Sequence, residues 1–246
     1  MVNYCLSLVG FRIAYRNRKY RLEKNLFFNE YLVYKKFYKK DEELTIFDVG
    51  AHVGQSSEQF HKQFPLSKIH AFEPGRDNFS ELLRNLGEND WAVINNLAVG
   101  EYEQVSEMYL TGALSTGNSL VKPQDDDSIY ERHEVEITTL DIYCANQGIS
   151  SIDILKIDTQ GYEQECLAGA VKLLEEAKIS ILKLEVMLHE AYDKRTSFYA
   201  IEKYLLGNGY ILFDIPWMKK SSRERRTLVM DVIYLHTSML DEMHNR

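Results

Sequence analysis

Apolar positions along the chain fall into short runs separated by stretches with a helical period. Leu44 to Val49 forms one run, stopped by Gly50, and a helical pattern follows from about Gln55 with Phe60 and Phe64 on one face. Further runs cover 67–72, Trp91 to Val99, Gln104 to Leu110, Glu134 to Thr138, Ser151 to Asp158, Ile179 to Val186, Tyr210 to Ile215 and Leu228 to His236. Helical segments are predicted between them over about 55–64, 76–87, 163–176 and 197–207. In the third of these, Leu167, Ala170, Val171 and Leu174 make the buried stripe. Strands alternating with helices predict an α/β domain with a mostly parallel sheet. The last two runs flank a basic loop, Lys219 to Arg226, and suit an antiparallel edge pair. Near the N-terminus Phe27, Tyr31, Tyr34 and Tyr38 fall on one helical face. That stripe reads either as a helix covering the sheet or lining a pocket, or as a surface for a membrane or partner.

The glycine turn after the first strand carries Asp48, Gly50, Ala51, His52 and Gly54. Gly50 lets the turn close, Gly54 lets the new helix pack closely, and the N–H groups at a helix start point outward. The second strand ends at Glu73-Pro74, 23 residues beyond Gly50. An acid about 20 residues past such a turn accepts hydrogen bonds from ribose hydroxyls. Pro74 cannot continue a strand ladder and fixes its end. A dinucleotide site needs G-x-G-x-x-G, and this loop lacks the middle glycine. Asp48, two residues before Gly50, suits a cationic ligand better than a pyrophosphate. S-adenosylmethionine has an ammonium, a sulfonium, a ribose and no phosphate. Asn95 and Asn96, at the end of the third run, are placed beside its adenine or serve as a capped strand end.

Four motifs occur in order: Asp48-Val-Gly-Ala-His-Val-Gly, Ala71-Phe-Glu-Pro, Thr139-Leu-Asp, and Leu155-Lys-Ile-Asp158-Thr-Gln-Gly161-Tyr-Glu163. In these the chain resembles the FkbM-type S-adenosylmethionine-dependent O-methyltransferases, from about Leu44 to His236. It departs from them at His52, where the family more often has Asn, and at Thr159-Gln160, where Val-Glu is more usual. The resemblance implies a class I methyltransferase fold, a Rossmann-like seven-stranded sheet with helices on both faces and an N-terminal helical segment. It also implies a hydroxyl acceptor on a sugar, glycan or secondary metabolite. The cofactor residues expected are Asp48, Gly50, Ala51, His52, Gly54, Glu73, Pro74, Asn96 and Asp158.

Charge refines the domain picture. The chain of 246 residues carries a formal −8, which argues against a general nucleic-acid binder. Residues 1–40 hold ten of the 29 Lys/Arg and two of the 37 Asp/Glu, a net of +8, which leaves −16 on the rest. The charge count sets off a basic extension over 1–40, and the resemblance implies a methyltransferase domain over 41–246. The extension packs on the acidic body or touches an anionic surface. Cys5, Cys144 and Cys166 are scattered and odd in number, and read as free thiols in a reducing compartment. Met1 to Phe11 is too short and interrupted for a membrane span and lacks the basic start of a signal peptide. A cytoplasmic location is expected.

Two strands carry charges that a sheet covered on both sides normally excludes. Lys156 with Asp158, and Lys183 with Glu185, each share one strand face. They read as a buried ion-pair network or as the chemistry at the carboxyl ends of the strands. Methyl transfer to a hydroxyl gains from a general base, and Asp158, Glu185 and His189 are the catalytic candidates. His52 and His133 are further candidates, and His52 is better placed to line the methionine pocket. Asp158 and Glu185 could supply oxygens to Mg²⁺, but nothing fixes a full ligand set and no metal site is predicted. The polar stretch Thr111 to His133 is long for a connection and reads as the acceptor-side loop, with Asp125-Asp126-Asp127 as a solvated turn. Asp141 reads as the cap of the helix after Thr139. Two other functions fit the pattern less well. One is a nicotinamide-dependent oxidoreductase. The other is a non-catalytic nucleoside-binding module docked through its basic N-terminal segment.

Overall fold

The computed structural model describes residues 30–188, 197–222 and 227–244. Its centre is a seven-stranded sheet. The parallel strands are β1 (Thr45–Val49), β2 (Lys68–Phe72), β3 (Ala92–Asn95), β7 (Ile152–Ile157) and β8 (Ile179–Met187), and the hairpin is β9 (Tyr210–Lys220) and β10 (Thr227–His236). The order is β3-β2-β1-β7-β8-β10-β9, with β10 antiparallel to both neighbours. The chain leaves β1 toward β2 on one side, and β7 fills the other. The crevice beyond the carboxyl end of β1 is therefore a topological switch point, where open α/β sheets bind ligands.

The sheet's two faces differ. One is apolar along its whole length: Phe47, Val49, Leu155, Ile157, Leu182, Leu184, Val186 and Tyr234 pack under α4 (Leu140–Gln147), α5 (Glu163–Ala168), α6 (Val171–Glu175) and α7 (Phe198–Leu205). The other carries Ile46, Ile69, Ile154, Ile181 and Ile233 against α1 (Tyr31–Phe37) and α2 (Gln55–Gln63). Toward the carboxyl ends it turns to Asp48, Lys156, Lys183, Glu185 and Asp231. These stand in register, with Asp48 beside Lys156, Lys156 beside Lys183, and Glu185 beside Asp231. From the aromatic stripe, Tyr34 and Tyr38 are buried on this face, and Phe27 lies outside the described residues along with everything before Glu30.

Several expectations needed correction. The third run splits at Asn96-Leu97, and its second half, β4 (Ala98–Val99), joins a small separate sheet with β6 (Glu131–Thr138) and β5 (Gln104–Leu110) in the order β4-β6-β5. Asn96 turns the chain because its amide donates to the carbonyls of Glu73 and Pro74, at 2.9 and 3.2 Å. The predicted helix 163–176 breaks at Gly169-Ala170, where a side chain on Gly169 would meet Gly100 O at 2.0 Å. Thr139, not Asp141, caps α4, with its hydroxyl accepting from Ile142 N–H at 3.0 Å. Asp141 instead accepts from the N–H groups of Lys172 and Leu173, at 2.9 and 3.0 Å, and so caps α6. Both cysteines among the described residues, Cys144 and Cys166, are buried free thiols. No described helix is long and apolar enough to cross a membrane.

Candidate active site

An open cleft lies at the switch point. Its floor is the turn after β1. Gly50 has φ +78, and a Cβ there would stand 1.9 Å from Asp158 O, so the ends of β1 and β7 meet with no room for a side chain. Gly54 has φ +98 and opens α2, where a Cβ would press on Leu86 and Leu82 of α3 (Arg76–Leu86) at 2.7 and 3.0 Å. These two glycines hold the turn flat against its neighbours and leave its backbone facing the cleft.

Of the predicted cofactor residues, Gly50, Ala51, His52, Glu73, Pro74 and Asp158 line this cleft. Glu73 is 4% exposed. Its carboxylate accepts from His52 N–H and Gly75 N–H, each at 2.9 Å. Burial pushes the acid up to about 7 against the pull of those hydrogen bonds. Asp48 does not reach the cleft. It is wholly buried, accepting from the Ser57 hydroxyl at 2.7 Å and from the Lys156 ammonium at 2.9 Å. Burial works against the Lys156 charge, but Asp48 and Asp158 outweigh it and keep the ammonium protonated. Lys156 also donates to Gly50 O at 3.3 Å and lies 3.7 Å from Asp158 Oδ2. Asp48 thus acts one step removed, through the lysine that braces the glycine turn. Asn96 likewise bonds the backbone behind Glu73. Gly54 is taken up by packing against α3.

The catalytic candidates divide. Asp158 is about one-third exposed on the cleft wall. Glu185 is joined to it through Gln160, whose side-chain N–H₂ donates to Asp158 Oδ1 at 3.0 Å and to Glu185 Oε2 at 2.8 Å. Burial first, then the Asp158 charge, pushes Glu185 up to about 8. Lys183 pairs with Glu30 and with Asp231 at 3.1 Å, bracing the sheet behind the site. His189 lies outside the described residues. His133 sits in β6. Among the described residues no cluster of His, Cys, Asp or Glu could hold a metal ion.

Sequence reasoning missed Gln160 as a bridge and Ser57 as the buried partner of Asp48. The first was visible only as an amide between two acids. Nothing in the sequence marks the second.

The loop from Thr111 closes over the cleft. Ser115, Thr116, Asn118, Ser119 and Leu120 line it. His52 Nε2 meets Leu114 O at 3.0 Å, Asn78 donates to Ser115 O at 3.5 Å, and the Ser119 hydroxyl donates to Gln160 O at 2.8 Å. Among the described residues, His52 Nδ1 and Asn78 Oδ1 are buried without a partner, and both residues line the cleft. A buried acid with lone pairs to spare, unpartnered polar atoms, bare turn backbone and a carboxylate opposite form a donor and acceptor set that suits a cationic nucleoside.

An open α/β sheet with a cleft at its switch point, an acid ending the second strand and a bare glycine turn is a fold and site of the nucleoside-binding kind. The model of the methyltransferase FkbM domain matches residues 48–212, and the chain belongs to that family. It is similar to methyltransferase sdnD of Sordaria araneosa, 29% identical over 153 residues, which cover 50% of this chain and 59% of that protein. The chain thus spans less than two thirds of that relative. It is also similar to the 2-O-methyltransferase NoeI of Sinorhizobium fredii (24% identical, covering 63% of this chain and 68% of that one). A third relative is the 31-O-demethyl-FK506 methyltransferase FkbM of Streptomyces tacrolimicus (26% identical, 67% and 72%). Among solved structures, an S-adenosylmethionine-dependent methyltransferase from Aquifex aeolicus aligns with a TM-score of 0.45 at 13% identity, covering 85% of this chain and 90% of that one.

Proposed function

We propose that the chain methylates a hydroxyl group on a sugar, glycan or comparable hydroxylated metabolite. The observation that carries the reading is the pairing of Glu73 on one wall of the cleft with Asp158, tied to Glu185, on the other. Glu73 accepts the ribose hydroxyls, and the turn from Gly50 to His52 holds the nucleoside by its backbone. Asp158 faces the methionine end. S-adenosylmethionine supplies an activated methyl group on a sulfonium. The protein's task is alignment, because the displacement is in line and the methyl group is already activated. An acceptor hydroxyl gains a methyl group and loses its proton, and the neutral thioether departs. Asp158 or Glu185 takes that proton. The relatives named as O-methyltransferases support an oxygen acceptor, and the polar strap from Thr111 to Ser119 supports a hydroxylated one.

The test is incubation with methyl-labelled S-adenosylmethionine and a panel of hydroxylated acceptors. Label in an alkali-stable ether on a sugar or polyol is the expected result. Label found only on nitrogen or carboxylate acceptors would overturn the hydroxyl assignment.

A further inference from the structure

The turn from Asp158 to Gly161 is built to hold one side chain in one place. Thr159 N–H and Gly161 N–H both donate to Glu163 Oε1, at 3.0 and 3.1 Å, and the Thr159 hydroxyl donates to the same atom at 3.2 Å. Glu163 is fully buried beneath the turn. From above, the Ser119 hydroxyl fixes the Gln160 carbonyl at 2.8 Å. Gln160 itself has φ +56, the left-handed region where a side chain is strained and glycine is the default. Such strain persists where the surroundings impose it, most often at functional sites. A glycine would make this turn without strain. It could not make the bridge, in which one amide nitrogen donates to Asp158 Oδ1 at 3.0 Å and to Glu185 Oε2 at 2.8 Å.

The bridged acids are not charge-balanced. Lys156 on β7 is 3.7 Å from Asp158 but also neutralises Asp48 of β1. Asp231 on β10 and Glu163 on α5 add negative charge toward Glu185. Lys183 on β8 is taken by Glu30 and Asp231. The two carboxylates are thus held together with one shared lysine.

We propose that Gln160 is a positioning residue that ties Asp158 to Glu185, so that the two carboxylates act as one proton-sharing unit answering to positive charge at the methyl-bearing end of the cleft. The proposal rests on the S-adenosylmethionine reading above. Both amide N–H bonds favour ionised acids, so losing them makes the unit hold its proton more firmly.

S-adenosylmethionine and S-adenosylhomocysteine differ by a methyl group and one positive charge, and the ratio of their affinities reports the charge of this unit. Calorimetric titrations of both ligands, from about pH 5 to about pH 9, follow that ratio through the unit's apparent midpoint. In the wild type, the preference for the sulfonium rises with pH through one midpoint. In Gln160→Gly the midpoint moves up by about one pH unit while Tm stays equal or rises, because the turn is no longer strained. Gln160→Met keeps the length of the side chain without its donors and moves the midpoint the same way. A lowered Tm with an unmoved midpoint in these variants would mean a merely structural side chain and would overturn the proposal. A pH-independent ratio in the wild type, with both ligands bound, overturns this proposal alone. Binding of neither ligand overturns the functional reading together with it.

Discussion

The two faces of the central sheet answer different demands with the same strands. Under α4 to α7 the strand residues are apolar from end to end, as Leu155, Ile157, Leu182, Leu184 and Val186 show. On the opposite face the same strands begin with Ile46, Ile154 and Ile181 and finish with Asp48, Lys156, Lys183 and Glu185. Apolar burial is non-directional and tolerates repacking, whereas each buried charge has to be answered by a specific partner. One face therefore supplies stability. The other spends part of it to hold a glycine turn and two acids in fixed positions beside a cleft. The charged rows fall at the carboxyl ends because that is where the switch point opens the sheet to a ligand.

Substitutions that separate the faces sharpen this contrast. Asp48→Ala should have the largest effect, since it leaves the Lys156 ammonium buried against a partner 3.7 Å away. The expected loss is about 3–5 kcal/mol, read by urea denaturation. Replacing Lys156 with Met in the same chain should recover much of it, and no recovery would break the account of the pair. Leu182→Ala on the apolar face should cost about 3 kcal/mol, with affinity for S-adenosylhomocysteine unchanged once folded. A large affinity change there would mean that the faces are not separable.

Glu73 links both demands. Its folded value, near 7, lies above its ordinary 4.5, so the folded chain keeps a proton that the unfolded chain releases. The stability this adds is complete below pH 4.5 and is lost as pH rises through 7. Compared with Glu73→Gln, the wild type should therefore lose about 3 kcal/mol across that window. Affinity for S-adenosylhomocysteine should rise over the same range, because the ionised acid accepts the ribose hydroxyls. A flat affinity profile would contradict that role. The smallest effect expected is at the strap. His52→Asn tolerates the positive φ of 52 but is too short to reach Leu114 O, and hydrogen exchange over 111–121 should quicken by an amount worth about 1 kcal/mol.

Much of this was legible in the sequence. The run ending at Gly50, the acid at Glu73 and the paired charges of 156/158 and 183/185 each place a strand end, and together they locate the cleft. Apolar runs separated by stretches of period 3.6 placed all seven strands of the central sheet. What escaped were features set by contacts distant in sequence. The run from Trp91 to Val99 reads as one strand, but the side chain of Asn96 bonds back to Glu73 and Pro74 and sends Ala98-Val99 to another sheet. The helix from Glu163 breaks because Gly169 lies against Gly100, a contact no local pattern carries. Asp48 looked like a ligand group, since an acid beside a glycine turn does not reveal that Lys156 and Ser57 already claim both of its oxygens.

The measurement that bears most directly on the cleft as a nucleoside site is calorimetric titration of the wild type and Glu73→Ala with S-adenosylhomocysteine, with NAD as control. The account predicts binding by the wild type, none of NAD, and a loss of about 10–100-fold in a Glu73→Ala protein that still folds. Equal affinity in the two proteins, or binding of NAD in place of the sulfur nucleoside, would contradict it.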